Sequence, residues 1–148
     1  MENLKAFFPD HWAELALNKD KVPLDPQYNV YFERENLGQV MFICGRERGK
    51  IIAYFVGFVT PALHYQTCLT LQMDLFYLHP DYRDGDSLSE VEANMISVQL
   101  FEAVKSEGIR RGVKRAFYGS KFHKDASRLF EELGMVEVER YYSAWWGD

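Results

Sequence analysis

A single aspartate interrupts an otherwise largely apolar stretch of the chain. Asp74 lies in the run CLTLQMDLFYL, where burial would favour its protonated form and so make the carboxylate a usable base. His64 and Tyr65 come shortly before, and an imidazole can relay a proton at neutral pH. These residues predict a site that accepts a proton. Two alternatives stay open: Asp74 faces solvent or pairs with an arginine, and His64 with Tyr65 merely packs in a loop.

A second stretch has the order of residues that proteins use to hold phosphates. The run LFYLHPDYRDGDSLSE (75–90) reads as a strand, then Arg83, a turn with Gly85, and Ser87 at a helix start. The start of a helix offers unpaired N–H groups and partial positive charge to an anion. A glycine lets the backbone approach that anion closely. The pattern therefore predicts an anion site at Arg83, Gly85 and Ser87.

Three carboxylates stand where this anion would bind: Asp84, Asp86 and Glu90. A like charge about 6 Å from a phosphate costs roughly 3 kcal/mol at an effective dielectric constant of about 20. An exposed helix terminus returns only about 0.3–1 kcal/mol. Either the carboxylates point to solvent or cap the helix, and Arg83 with Lys121 or Lys124 holds the phosphates, or the site has decayed.

The whole chain has the size and composition of one globular domain. Its 148 residues can bury about two-thirds of the surface of the unfolded chain in a single core. The hydrophobic content of 47% and the charged content of 26% are ordinary for a soluble protein. A net charge of −5 argues against a general nucleic-acid binder, which would present a basic face. We therefore expect one domain over residues 1–148 and no nucleic-acid partner.

Cysteine content and hydropathy predict a cytoplasmic location. Cys44 and Cys68 are too few for a disulfide framework, so we expect two reduced thiols. Neither they nor the four scattered histidines have the spacing of metal ligands, and no metal is expected. The longest apolar run, IIAYFVGFV (51–59), is far shorter than the roughly 20 residues that cross a membrane. The first residues lack the basic-then-apolar order of an export signal.

Hydrophobic periodicity and turn residues predict the elements that would position these sites. Two short helices come first, over residues 9–18 and 30–36. Strands follow at residues 39–44, 51–59 and 67–78, the last two joined by a loop over 60–66. The chain continues with a helix over 88–107, a strand over 113–118, a helix over 124–133 and one or two strands within 135–146. The order β-β-β-α-β-α-β predicts a mixed α/β (α+β) layer with an antiparallel front end.

Two motifs in this order resemble the GCN5-related N-acetyltransferases (the GNAT family). One is LFYLHPDYR (75–83), and the other is ASRLFEELGM (126–135) before a final strand, similar to the family's Ala-x-x-x-Tyr-x-x-x-Gly-Phe. The resemblance covers residues 28–142. It implies a mixed, mostly antiparallel sheet with helices on both faces. The loop HY followed by DLFYLHPDYR also resembles acetyltransferase-like proteins of tailed phages.

The resemblance implies transfer of an acetyl group from acetyl-coenzyme A (acetyl-CoA) to an amine by direct attack. The strand that ends at residue 78 would part from the strand at 113–118, and the pantetheine arm would bind in that gap. The pyrophosphate would rest on the turn at the start of the long helix. The residues that would contact the cofactor are Tyr77, Leu78, Arg83, Gly85, Ser87, Ser120, His123 and Phe130.

The chain departs from the family pattern in two places. The family loop reads Arg/Gln-x-x-Gly-x-Gly/Ala, whereas this chain keeps one glycine, Gly85, one position early. It also has several additional residues before the helical spacing of apolar residues begins. The usual thiolate acid is a tyrosine, and the matching residue is Phe130, which cannot donate a proton. Either another donor (Tyr77, Tyr118, His123 or solvent) replaces it, or no dedicated acid is used, or the protein is not an efficient acetyltransferase.

The main hypothesis from the sequence is an acetyl-CoA-dependent N-acetyltransferase that acts on a small, polyamine-like molecule or on an exposed amine of a protein. Proton removal is assigned to Asp74, with His64 or Tyr65. The rival hypothesis is a catalytically weak or inactive acetyltransferase-like protein that binds and modulates a partner (host) protein. The aromatic tail YYSAWW (141–146) would leave an apolar patch suited to such a partner or to a homodimer.

Overall fold

The structure, a computed structural model, describes residues 5, 7–83 and 90–147, without the side chains of residues 90–93. In order, the elements are α1 (Phe8–Leu15), α2 (Tyr28–Asn36), β1 (Val40–Glu47), β2 (Lys50–Ala62), β3 (Tyr65–Leu78), a 3-10 turn (Pro80–Tyr82), α3 (Glu90–Arg110), β4 (Arg115–Phe117) and α4 (Ser127–Glu132). The predicted order of elements up to α4 is confirmed, with ends that differ by a few residues. No helix in this part of the chain is long and apolar enough to span a membrane.

The strands form one mixed sheet in the order β1-β2-β3-β4. β1, β2 and β3 are antiparallel neighbours, and β4 pairs parallel to β3. Parallel strands need a long crossover, and here α3 supplies it. The predicted mixed, mostly antiparallel sheet is confirmed.

The β2–β3 hairpin is longer than the sequence predicts. A loop is predicted over residues 60–66, but both strands continue until only Leu63 and His64 form the turn. Thr60 pairs with Thr70, whose hydroxyl donates a 2.8 Å hydrogen bond to the Thr60 carbonyl oxygen. The ladder therefore extends past Pro61, into the segment that was predicted as a loop.

Helices cover both faces of the sheet, as predicted, and each face has its own core. α3 and α4 pack on one face, in a cluster that includes Phe55 and Phe101. α1 and α2 pack on the other face, in a cluster that includes Phe8 and Tyr54. β2 contributes to both clusters because it is apolar at nearly every position, and a strand of that composition is buried on both sides.

The terminal strand that the sequence predicts within residues 135–146 is not present. Residues 135–147, all of them described, contain no strand. Tyr142 and Trp146 are 93% and 95% exposed. β4, the strand at this edge of the sheet, is three residues long and offers few backbone groups to a further strand. The aromatic tail therefore does not have the buried packing that its composition suggests.

Candidate functional site

β3 and β4 run side by side for three residues and then part. Their parallel ladder joins residues 70–72 of β3 to residues 115–117 of β4 and ends there. β3 continues to Leu78, paired on its other side with β2. From residue 73 onward, the outer edge of β3 has no strand neighbour in the described part of the chain. A gap opens between the end of β3 and the segment that follows β4.

A β-bulge lies at the point where the two strands part. Leu75 pairs with Val56, and Met73 pairs with Gly57, so Asp74 is an extra residue without a partner on β2. A bulge bends the strand that carries it and re-aims the extra side chain. The bend accounts for the departure of β3 from β4 just after their last paired residues.

Gly57 is required opposite this bulge. A Cβ atom at Gly57 would lie 2.8 Å from Leu71 Cδ1 and 3.0 Å from the carbonyl oxygen of Gln72. Any side chain would therefore push the two strands apart. Sequence reasoning missed the bulge, although its signal was present: an isolated glycine inside the strand IIAYFVGFV is typical of a bulge or a close backbone approach.

A groove of about 1380 Å³ follows the gap. Its walls are α1, the loop at residues 22–26, residues 72–78 of β3, residues 119–126 and α4. Most of the predicted site residues line it: Asp74, Tyr77, Leu78, Arg83, Ser120 and His123. The topology thus brings residues from separate parts of the sequence to one place.

The remaining predicted site residues are not brought to this groove. His64 and Tyr65 are exposed at the β2–β3 turn, because the long hairpin places this turn far from the groove. Ten residues of extended chain separate His64 from Asp74, on the order of 30 Å. Phe130 is buried in the core beneath α3 and α4. Gly85 and Ser87 lie outside the described residues, as do the acids between and beside them.

Asp74 is exposed and lines the groove. Of the two interpretations that the sequence left open, exposure to solvent is therefore the one that holds, although the strand is largely apolar. Its Oδ2 accepts a hydrogen bond from the Tyr31 hydroxyl. Burial, and then this bond to Asp74, raise the pKa of Tyr31, which therefore keeps its proton. Sequence reasoning missed Tyr31, since the contact joins positions 43 residues apart.

A buried imidazole lies beside Tyr77 in the wall of the groove. His11 is 6% exposed, its Nδ1 lies 2.6 Å from the Tyr54 hydroxyl oxygen, and its ring stacks on Tyr77 with centroids 4.8 Å apart. Burial lowers the pKa of His11 to about 4, so the ring is neutral at pH 7. Burial also raises the pKa of Tyr77, whose hydroxyl remains a proton donor. No local pattern in the sequence pointed to His11.

Three cations come together in the wall of the groove: Arg83, Lys121 and Lys124, called here the cation cluster. Arg83 follows β3, and the two lysines follow β4. The sequence predicts Arg83 with either lysine as phosphate ligands, and the structure brings all three to the groove.

The last turn of α1 occupies the cation cluster. Both carboxylate oxygens of Glu14 accept hydrogen bonds from the Arg83 guanidinium, the Nη2–Oε2 distance being 2.7 Å. Lys124 Nζ lies 3.1 Å from Glu14 Oε1, and Lys121 Nζ donates to the Leu15 carbonyl oxygen at 2.9 Å. The hydrogen bond from Arg83 is the main cause that lowers the pKa of Glu14. A carboxylate thus holds the cations that would bind an anion.

Ser120 is used to hold the beginning of α4. Its Oγ accepts a 2.8 Å hydrogen bond from the Ala126 N–H and donates one of 2.7 Å to Asp125 Oδ1. The same oxygen of Asp125 accepts from the Ser127 N–H at 3.0 Å. Hydrogen bonds from Ser127, and then from Ser120, lower the pKa of Asp125 to about 2. The Ser120 hydroxyl, predicted to contact a cofactor, is therefore already engaged in a cap.

Two of the three side chains suggested as proton donors line the groove, namely Tyr77 and His123. Tyr118 instead packs in the core, with its ring centroid 5.5 Å from that of Phe101 and 5.7 Å from that of Phe130. Tyr77 and His123 are therefore the better placed donors. Among the described residues, no group of three or more His, Cys, Asp or Glu side chains could hold a metal ion.

No protein-family model and no curated protein sequence matches the chain. Solved structures of acetyltransferases do match it. An aminoglycoside acetyltransferase from an uncultured soil metagenomic sample has a TM-score of 0.70 at 16% identity, over 97% of this chain and 88% of that one. The ribosomal-protein-alanine N-acetyltransferase of Brucella melitensis biovar Abortus 2308 has a TM-score of 0.67 at 12% identity, over 97% and 89%. A predicted acetyltransferase of Clostridium acetobutylicum, solved with acetyl-CoA, has a TM-score of 0.61 at 14% identity, over 97% and 85%.

The chain has an acetyltransferase fold. The GNAT-like architecture predicted from the sequence is therefore confirmed. These matches are similarities of three-dimensional shape at low sequence identity, so they do not assign an activity. That assignment depends on the groove and its residues.

Proposed function

We propose that this chain is an N-acetyltransferase that takes its acetyl group from acetyl-CoA. The observation that carries the proposal is the opening between β3 and β4, with an exposed carboxylate at its bulge and the cation cluster in the wall of the groove. Such an opening would let an extended thioester arm lie along the free edge of β3. One of the structures with the same fold was solved with acetyl-CoA, which supports the choice of co-substrate.

The acetyl-CoA arm would lie along residues 73–78 of β3 and pass Tyr77 and Leu78. Its pyrophosphate would bind the cation cluster, because hydrogen bonds between cations and phosphate oxygens are short and strong. Gly85 and Ser87, predicted at the same subsite, follow Arg83 directly in the chain. Glu14 would have to leave the cations, since a carboxylate and a pyrophosphate compete for the same donors.

Asp74 would remove the proton that the acceptor must lose before it attacks. An alkyl ammonium has a pKa of about 10.4 in water, so a base is needed at neutral pH. Once the proton is on Asp74, the amine nitrogen would attack the thioester carbonyl, forming the C–N bond and a positive charge on nitrogen. The C–S bond then breaks, and the nitrogen would lose its second proton, through water, to the group that protonates the sulfur. Tyr77 or His123 would give a proton to the departing sulfur.

Two classes of acceptor fit an open groove with an exposed base. One is a small amine of the polyamine or aminoglycoside kind, and the other is a free amine at the end of a protein chain. The structures with the same fold include an aminoglycoside acetyltransferase and a ribosomal-protein-alanine N-acetyltransferase, one for each class.

Thermal melting with and without millimolar acetyl-CoA tests the proposal at the binding step. Ligand at about 100 times its dissociation constant should stabilise the protein by roughly 2.7 kcal/mol. Arg83→Ala should reduce the shift, most visibly at low salt, where charge interactions are least screened. Asp74→Asn should leave the shift intact. A wild-type protein whose melting temperature does not respond to acetyl-CoA would overturn the proposal.

Release of the free coenzyme A thiol tests the chemical step. Suitable probes for the two acceptor classes are spermidine, sisomicin and a peptide with an N-terminal alanine. Asp74→Asn should slow thiol release by a factor of roughly 10² to 10⁴, the usual range for loss of a general base. Equal turnover by the two proteins would remove Asp74 from the mechanism.

The rival function is that of a phage-type protein that binds a host protein and has lost efficient catalysis. Two observations favour it: Glu14 occupies the cation cluster, and Tyr142 and Trp146 are exposed on the tail. Exposed aromatic side chains of this kind suit a partner protein or a second copy of the chain. A protein that shows no acetyl-CoA shift, yet self-associates through the tail, fits this function.

A further inference from the structure

Tyr31 and Asp74 form a side-chain pair that joins α2 to the bulge of β3. The Tyr31 hydroxyl donates to Asp74 Oδ2, and both residues line the groove. Among the described residues, the other carboxylate oxygen, Oδ1, has no hydrogen-bond partner. Asp74 itself is exposed, so Oδ1 is open to a molecule in the groove.

The ring of Tyr31 is held by aromatic neighbours on the sheet and on α1. It stacks on Phe58 of β2, with centroids 5.8 Å apart and planes 27° apart, and lies against Phe8 of α1 with centroids 6.5 Å apart. On Phe58, the guanidinium of Arg34 makes a cation–π contact, 5.1 Å from the ring centroid. Because the ring is fixed, the direction in which its hydroxyl points is fixed as well.

A carboxylate at a bulge is otherwise free to turn about its side-chain bonds. A base works only when the oxygen that takes the proton lies within hydrogen-bond reach of the substrate. One donated hydrogen bond to Oδ2 restricts the rotation of the carboxylate, and because Asp74 lines the groove, Oδ1 is the oxygen left to accept a proton there. Burial keeps Tyr31 protonated by raising its pKa, so Tyr31 acts as a donor and not as a second base.

We infer that Tyr31 is the positioning residue for Asp74: its hydroxyl holds one carboxylate oxygen so that the other accepts the proton of the incoming ammonium. The inference rests on the proposed function, in which Asp74 is the base. The proton passes from the ammonium nitrogen to Asp74 Oδ1, and Tyr31 keeps its own proton throughout. α2 thereby sets the geometry of proton removal although it contributes no group that reacts.

The first test needs no acceptor. In protein labelled with carbon-13 at the tyrosine Cζ, the Tyr31 resonance is assigned by its loss in Tyr31→Phe. At pH 7 this resonance should move on Asp74→Asn, because the phenol then no longer donates to a charged oxygen. The resonance of Tyr28, on the same helix and stacked on Phe8 at 5.9 Å, should stay in place. An unmoved Tyr31 resonance would overturn the inference.

The second test uses thiol release with whichever probe amine is acetylated. Tyr31→Phe should lower kcat about tenfold to a hundredfold, the usual worth of a hydrogen bond to a charged group, with little change in KM for acetyl-CoA. In an Asp74→Asn background, Tyr31→Phe should have no further effect on kcat.

Tyr28→Phe is the matched control, because among the described residues its hydroxyl makes no hydrogen bond, and its kcat should equal that of the wild type. A similar loss in both phenylalanine variants would contradict the inference, as would an additive loss in the double variant. If Asp74→Asn slows turnover and Tyr31→Phe does not, the inference fails while the proposed base stands. If Asp74→Asn itself leaves kcat unchanged, the base assignment of the proposed function fails, and the inference fails with it.

Discussion

At the scale of single residues, burial determines the protonation state of His11 in the wall of the groove. His11 lies among the rings of Tyr54 and Tyr77, where the charged imidazolium would lose its hydration. The Glu14 carboxylate favours the charged form, but burial outweighs it and the pKa falls to about 4. A neutral imidazole is therefore part of the folded state at pH 7.

The stability of the protein should depend on pH through His11. In the unfolded chain His11 binds a proton near pH 6.5, whereas in the folded chain it does so only near pH 4. Proton binding therefore favours the unfolded state as the pH falls between these values, and the free energy of unfolding should fall by up to about 3 kcal/mol. Urea unfolding at pH 7 and pH 4 measures the change. His11→Asn cannot titrate and should lose correspondingly less; the same pH dependence in both proteins would contradict the assignment.

At the scale of elements, the bulge in β3 depends on a glycine in β2. Gly57→Ala should destabilise the protein by about 1–3 kcal/mol, the usual cost of overpacking, because its Cβ would lie 2.8 Å from Leu71 Cδ1. Gly45→Ala in β1 is the matched control, since its nearest neighbouring atom would be 3.7 Å away. Urea unfolding compares the two variants with the wild type. Equal stabilities for the two alanine variants would show that the close approach opposite Asp74 does not constrain the fold.

α1 is the second element that matters, because its last turn holds the cation cluster. Glu14→Gln removes the charge that competes for these donors, so acetyl-CoA should bind several-fold more tightly, with free energy gained from charge-assisted bonds to the pyrophosphate. Isothermal titration calorimetry measures the affinity. Glu137→Gln removes the same charge from an ion pair with Arg140 on the tail and serves as the control. Equal affinities for acetyl-CoA in the two variants would show that the gain comes only from the change in net charge. Weaker binding by Glu14→Gln would show that Glu14 supports the cation cluster.

At the scale of the whole molecule, the sequence predicts what depends on local pattern. The uninterrupted apolar run of β2 predicted burial on both faces, and helical spacing with capping residues located α3 to within a few residues. The prediction of a terminal strand was wrong because the residue pattern of 135–146 shows only that this segment could pair with another strand. Whether it does pair depends on a free edge elsewhere, and the three residues of β4 supply a short one.

The site residues also divide into those that a local pattern predicts and those that it does not. Asp74 was predicted because it interrupts an apolar run, and Arg83 because it follows the end of a strand. Tyr77 and His123 were predicted through the family resemblance. Tyr31, His11 and Glu14 were not, because each meets its partner at the groove from a helix that lies far away in sequence. Such residues show no signal in a local window; their role depends on how α1 and α2 dock against the sheet.

The additional residue of β3 also has a consequence for how this protein can vary. Side chains alternate between faces along a strand, so deleting Asp74 would bring β3 back into continuous register with β2 through to Leu78. The straightened strand could then follow β4 further, so the gap proposed to admit a thioester would narrow at the same time as the carboxylate is lost. Under the proposed function, entry of the thioester and removal of the amine proton would thus both depend on this one residue, and loss of its codon would abolish them together.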